Sequence, residues 1–197
     1  MIGRFAQRLH RDEKGVSVIE FAIIAPAFLV MMMAVFDLGY RTFIHSTLQG
    51  AVHKAARDGT LENGAAASSS LDARVRNLVT PIVSNGTWTF DRKNYASFTR
   101  AGAQEVFTDS NANNIRDAGE CFQDENGNNT WDADSGAAGQ GGAKDISKLT
   151  VTVVYPRIFP LYGLLGWSQN QTISATTVIR NQPYDTQNAR PITVVCI

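Results

Sequence analysis

The chain has 197 residues, 44% of them hydrophobic, and its 18 Lys+Arg are balanced by 18 Asp+Glu. That length holds one membrane segment and one further domain of about 130–150 residues, large enough for its own core. Nothing in a net charge of zero suggests a nucleic-acid partner.

The charges are nevertheless unevenly placed. Arg4, Arg8, Arg11 and Lys14 crowd the first residues, opposed only by Asp12 and Glu13. After Gly15 comes an apolar run of about 20 residues, the length a helix needs to cross a bilayer core. The positive-inside rule puts the basic tail in the cytoplasm and the bulk of the chain on the other side. A cleavable secretory signal would need a small-residue cut site after the apolar core. The run ends Met-Ala-Val-Phe-Asp-Leu-Gly39, which offers none, so a retained single-pass anchor is expected. One carboxylate, Glu20, lies inside the run. Deep in a bilayer it would cost about 2.5–3.5 kcal/mol, less near the interface, so its presence asks for a reason.

Gly15-Val-Ser-Val-Ile-Glu20 resembles the processing site of type IV-type prepilins. Glu20-Phe-Ala-Ile-Ile-Ala-Pro26, Val35-Phe-Asp-Leu-Gly-Tyr-Arg41 and Ala51-Val-His-Lys-Ala-Ala-Arg-Asp-Gly59 narrow the resemblance to TadE-like pseudopilins of the tight-adherence (Flp) pilus system. The resemblance covers the first 60 residues or so and implies a structural subunit, not an enzyme. It implies a cytoplasmic leader over residues 1–15, removed after Gly15 by a prepilin peptidase. Other pilin-like subunits, the inner-membrane assembly machinery and the lipid bilayer are the implied partners. Glu20 then becomes the fifth residue of the mature chain, able to pair with the Val16 ammonium of a neighbouring subunit as a register device. An ordinary anchor whose Glu20 stays wet at the surface is the alternative.

From 16 to about 58 the pattern reads as one long helix, bent at Pro26 where a backbone bond is lost. Beyond the bilayer it turns amphipathic, with Leu48, Val52, Ala55 and Ala56 on one face. Gly59 marks its end, and Asn63–Ser70 reads as a flexible loop. A second helix is expected from Ser70, with Leu71, Val75, Leu78, Val79 and Ile82 on its inner face. Strands are expected at Thr87–Phe90, Lys148–Tyr155, Thr172–Ile179 and, less regularly, Ile192–Ile197. The sum is an α+β chain: the leader, a transmembrane and extended helix over 16–58, and an outer domain over 59–197 with an insert at 105–145.

That insert carries the second informative pattern. Asp109, Asn111, Asn113, Asp117 and Glu120 take positions one, three, five, nine and twelve of a calcium loop of EF-hand spacing, with the Ile115 carbonyl at seven. Asn114 replaces the usual glycine at six and tolerates the same left-handed backbone. A second copy runs through Asp124, Asn126, Asn128, Thr130 and Asp132. It lacks the glutamate at twelve, with Asp134 as a nearby substitute, and is expected to bind less tightly. Hard oxygen donors at alternate positions suit calcium over zinc. A solvated loop of turn formers is the plainer alternative.

Between the two strongest strands, Pro156–Trp167 is an apolar loop. It either folds over the sheet as core or meets a partner or membrane surface. Cys121 and Cys196 would be free to form one bridge in an oxidising compartment, or remain two thiols. The histidines, His10, His45 and His53, all precede the outer domain, which therefore has no imidazole for a Ser-His-Asp site or for zinc. A membrane-anchored hydrolase is accordingly disfavoured. A structural minor pseudopilin in the inner membrane, with its bulk periplasmic or extracellular, is the leading reading. A single-pass calcium-binding adhesin or receptor-like module is the alternative.

Overall fold

In the computed structural model the apolar run and the amphipathic stretch after it form one helix, α1 (Val16–Gly59). The structure describes residues 15–60, 68–83, 85–183 and 192–196. The basic tail with His10, residues 63–67 of the expected loop and the Val16 side chain lie outside them. Pro26 sits within α1 without ending it, a tolerance that membrane helices share. Among the described residues α1 is the one helix long and apolar enough to cross a membrane.

Two compact units divide the chain: residues up to Thr42 together with Arg157–Gln169, and Phe43–Pro156 together with residues from Asn170 onward. The division falls inside α1, not at its end.

The larger unit is α+β. Its main sheet has the order β3-β1-β4-β5, from β1 (Thr87–Tyr95), β3 (Ala137–Ala138), β4 (Ile146–Pro156) and β5 (Asn170–Arg180), with every neighbour antiparallel. Alternation decides which face is buried. On β4 Leu149, Val151, Val153 and Tyr155 turn inward, as do Ile173 and Ala175 on β5. The outward residues form a hydroxyl ladder, Thr150 to Thr176 at 3.1 Å and Thr152 to Ser174 at 2.9 Å.

The inward face is covered by helices. Ile44, Leu48, Ala51, Val52, Ala55 and Ala56 of α1 are buried at helical spacing. Gln49 Nε2 donates to the Thr176 carbonyl, and His53 Nδ1 meets the Thr177 hydroxyl at 3.0 Å, so His53 ties α1 to β5. The second helix, α2 (Ser68–Val79), starts ahead of the expected cap and buries Leu71, Val75 and Val79. Leu78, expected on the same face, is exposed. Arg92 of β1 is ion-paired with Asp72 of α2, and Arg76 stacks over Phe90.

A two-stranded sheet pairs β2 (Cys121–Asp124) with β6 (Thr193–Cys196). Neither β2 nor β3 is legible in the sequence, being four and two residues long. The remaining helix, α3 (Leu161–Leu165), belongs to the smaller unit.

Candidate functional site

Two places carry chemistry: the head of α1 and the Asp/Asn-rich insert. Gly15 is exposed and leads directly into α1. Glu20 is exposed one turn along, among Val18, Ile19, Phe21 and Ile23, which are exposed as well. This end of the helix therefore presents a carboxylate on an otherwise apolar surface.

The insert is built as two loops of one design. Asp109 accepts from the Asn113 N–H at 3.2 Å and the Asn114 N–H at 2.7 Å. Asp124 accepts from Asn128 at 3.2 Å and Asn129 at 2.9 Å. Asn111 and Asn113 donate their amides to Asp117 at 2.7 and 2.8 Å, as Asn126 and Asn128 do to Asp132 at 2.7 and 2.6 Å. Position six is left-handed in both, at φ 60 for Asn114 and φ 61 for Asn129, a region asparagine tolerates better than most residues. The position-seven residues, Ile115 and Thr130, donate their N–H groups to the side-chain oxygens of Asn113 and Asn128. The Asn114 N–H, joined by other loop N–H groups, holds the Asp109 carboxyl below the usual carboxylate range.

A glutamate closes each loop. Glu120 accepts from the N–H of Ser110 at 2.7 Å and of Asp117 at 3.0 Å, which are positions two and nine. In the second loop those positions are Glu125 and Asp132, and their N–H groups donate to Glu105 at 2.9 and 3.1 Å. Glu105, fully buried, thus stands where the second loop lacks its own glutamate.

Asp134, the residue expected to substitute, is engaged elsewhere. It accepts from the Tyr95 hydroxyl at 2.8 Å and pairs with Lys93 at 3.1 Å and Lys148 at 3.5 Å. Burial raises its pKa, but Tyr95, Lys93, the Gly136 N–H and Lys148 outweigh that and lower it. Burial, then Asp134, raises the pKa of Tyr95. Gly136 permits this contact, since a Cβ there would stand 2.6 Å from the Tyr95 ring.

Glu105 was missed because the calcium-loop spacing counts forward from the first aspartate. The signal that finds it is a 15-residue repeat, Glu-x-Phe-x-Asp-x-Asn-x-Asn-Asn-x-x-Asp, beginning at Glu105 and again at Glu120. The repeat folds as an antiparallel pair. Phe107 bridges Phe122, Thr108 N–H donates to the Cys121 carbonyl, and Gln123 N–H to the Val106 carbonyl. Antiparallel pairing of equivalent residues carries the first repeat's glutamate to the second repeat's loop. Trp131 closes the arrangement, donating Nε1 to the Glu105 carbonyl and meeting Phe107 edge-on.

Among the described residues no three His, Cys, Asp or Glu side chains are gathered as a metal-ion group. The loop carboxylates are bonded to backbone N–H and asparagine amides. Beside the loops, β2 and β6 place Cys121 opposite Cys196, and a disulfide joins them.

No characterised protein and no solved structure matches the chain. Its likeness to known proteins is carried by the long helix: residues 15–57 match the model of the TadE-like protein family.

Proposed function

We propose that this chain is a minor pseudopilin, a membrane-anchored structural subunit for assembling a Tad/Flp-type pilus. The observation that carries the reading is the family match, which begins at Gly15 and covers most of α1. In this reading the prepilin peptidase cuts after Gly15 and the chain stays in the inner membrane through α1. The new Val16 ammonium then meets Glu20 of a neighbouring subunit. An exposed carboxylate on an apolar helix supports this role, because pairing between subunits offsets its cost in the bilayer. The identity of the mature N-terminus tests the proposal.

A second property is favoured by the equivalence of Glu105 and Glu120: each of the two loops binds one calcium ion. Each would offer three carboxylates, Asp109, Asp117 and Glu120 in one and Asp124, Asp132 and Glu105 in the other. With asparagine and backbone oxygens they form the hard-oxygen set that calcium takes. The Asn111 and Asn113 amides now direct Nδ2 at Asp117, where positive charge is favoured. Turning each amide over would present oxygen in its place. With a carboxylate from outside its own twelve residues, the second loop matches the first in acidic ligands, and the two sites are of comparable strength. Calorimetric titration with calcium tests this property separately from pilus assembly, and it fits an anchored adhesin equally well.

A further inference from the structure

The Arg157–Gln169 loop belongs with the helix residues up to Thr42 in the smaller unit. Its attachment point is specific. Arg157 is ion-paired with Asp37, which is buried, and Phe159 stacks on Phe36 with ring centroids 6.4 Å apart. Asp37 is the first charged residue after Glu20, so the loop is fastened where the apolar run of α1 ends.

The loop is self-supporting at that level. Arg157 donates Nε to the Ser168 carbonyl at 3.0 Å and lies over the Trp167 ring at 5.1 Å. Helix α3 stops at Gly166, in the left-handed conformation at φ 68, and the Trp167 N–H returns to the Tyr162 carbonyl. Arg157 is the loop's sole charged side chain, and Asp37 neutralises it. Ile158, Leu164, Leu165 and Trp167 remain exposed, Leu164 at 74%.

We propose that this loop is a second membrane contact, seating Ile158, Leu164, Leu165 and Trp167 in the headgroup–acyl boundary of a phospholipid bilayer where α1 leaves it. Continuity favours lipid as the occupant. The exposed apolar surface of α1 runs from Val18 to Leu38, and the loop is fastened at its end, at Phe36 and Asp37. Chemistry favours it too. Tryptophan and tyrosine concentrate at membrane interfaces, and a neutralised ion pair enters that zone at far lower cost than a lone charge. The inference rests on reading α1 as a membrane span.

Site-directed spin labelling of the full chain in phospholipid nanodiscs holding one copy each tests it. Labels go on Leu164→Cys, on Met31→Cys as a mark of the span, and on Thr150→Cys, on the outward face of β4, as an aqueous mark. Collision with oxygen against a water-soluble nickel complex reads depth. The expected result is a Leu164 label shifted from the Thr150 value toward that of Met31. A Leu164 label as aqueous as Thr150, with Met31 in lipid, overturns the loop contact and leaves the span intact. If Met31 is aqueous as well, the span reading has failed and the proposal fails with it. Protection of Leu164 that needs two copies per disc assigns the surface to a second chain, which also overturns it.

Discussion

Glu105 and Glu120 are related by a rotation that the chain builds from a repeat: each accepts two N–H groups, at positions two and nine of a loop, and each closes one loop of the pair. The antiparallel bridge between Phe107 and Phe122 is what exchanges them.

Calcium titration of the full chain is therefore expected to give two sites, with dissociation constants on the order of 10⁻⁴–10⁻³ M, as in extracellular modules. Glu105→Gln and Glu120→Gln should each weaken one site, and Asp134→Asn neither. Saturating calcium should raise the melting temperature, because an ion that binds the folded form alone stabilises it. No heat and no thermal shift at millimolar calcium would make the insert a polar loop.

The bridge between Cys121 and Cys196 closes a separation of 75 residues. On the chain-entropy account its loss costs about 4 kcal/mol, often less in practice. Cys121→Ser or Cys196→Ser should lower the denaturant midpoint, and reduction of the parent chain should reproduce that loss. Two reactive thiols in unreduced, denatured protein would show instead that no bridge forms in cells.

Acid should weaken the larger unit through Asp134. Its folded pKa is lowered, so between that value and the ordinary aspartate value near about 3.9 the unfolded chain binds more protons. The stabilisation is full above that ordinary value and is lost as pH falls through the folded pKa. Tyr95 works in the opposite direction, since its folded pKa is raised. Its contribution is full below the ordinary tyrosine value near about 10 and is lost as pH climbs through the folded value. Equilibrium unfolding against pH should show a shallower acid limb in Asp134→Asn and a shallower alkaline limb in Tyr95→Phe.

Glu20→Ala should leave membrane insertion intact or improved, because a charge is removed from the bilayer. Association with pilin-like subunits should fall. Crosslinking from a site on α1 reads that association, and an unchanged yield from protein that is still cut and stable would dismiss the register role.

What the sequence made legible was what repeats at a local period. The alternation in β4 and β5 and the helical stripe from Leu48 to Ala56 are such periods, and they fold as their spacing suggests. Strand β1 runs on to Tyr95, beyond the expected Phe90, because Arg92 and Lys93 are satisfied by Asp72 and Asp134, partners remote in sequence. Strand β2 is four residues long, and its pairing with β6 and with residues 106–108 comes from afar. Glu105 shared that difficulty, since its loop is reached by a pairing and not by counting. The apolar loop after β4 gave two readings because its composition does not reveal what it is fastened to, and the pairing of Arg157 with Asp37 is remote in sequence.

The claim on which the rest depends is that the chain is a processed pilus subunit, and the mature N-terminus tests it most directly. Protein recovered from cells with an active prepilin peptidase should begin at Val16 by mass spectrometry, and replacing Gly15 with a bulkier residue should block the cut. An intact Met1 terminus in such cells would contradict the account and leave an ordinary membrane anchor in its place.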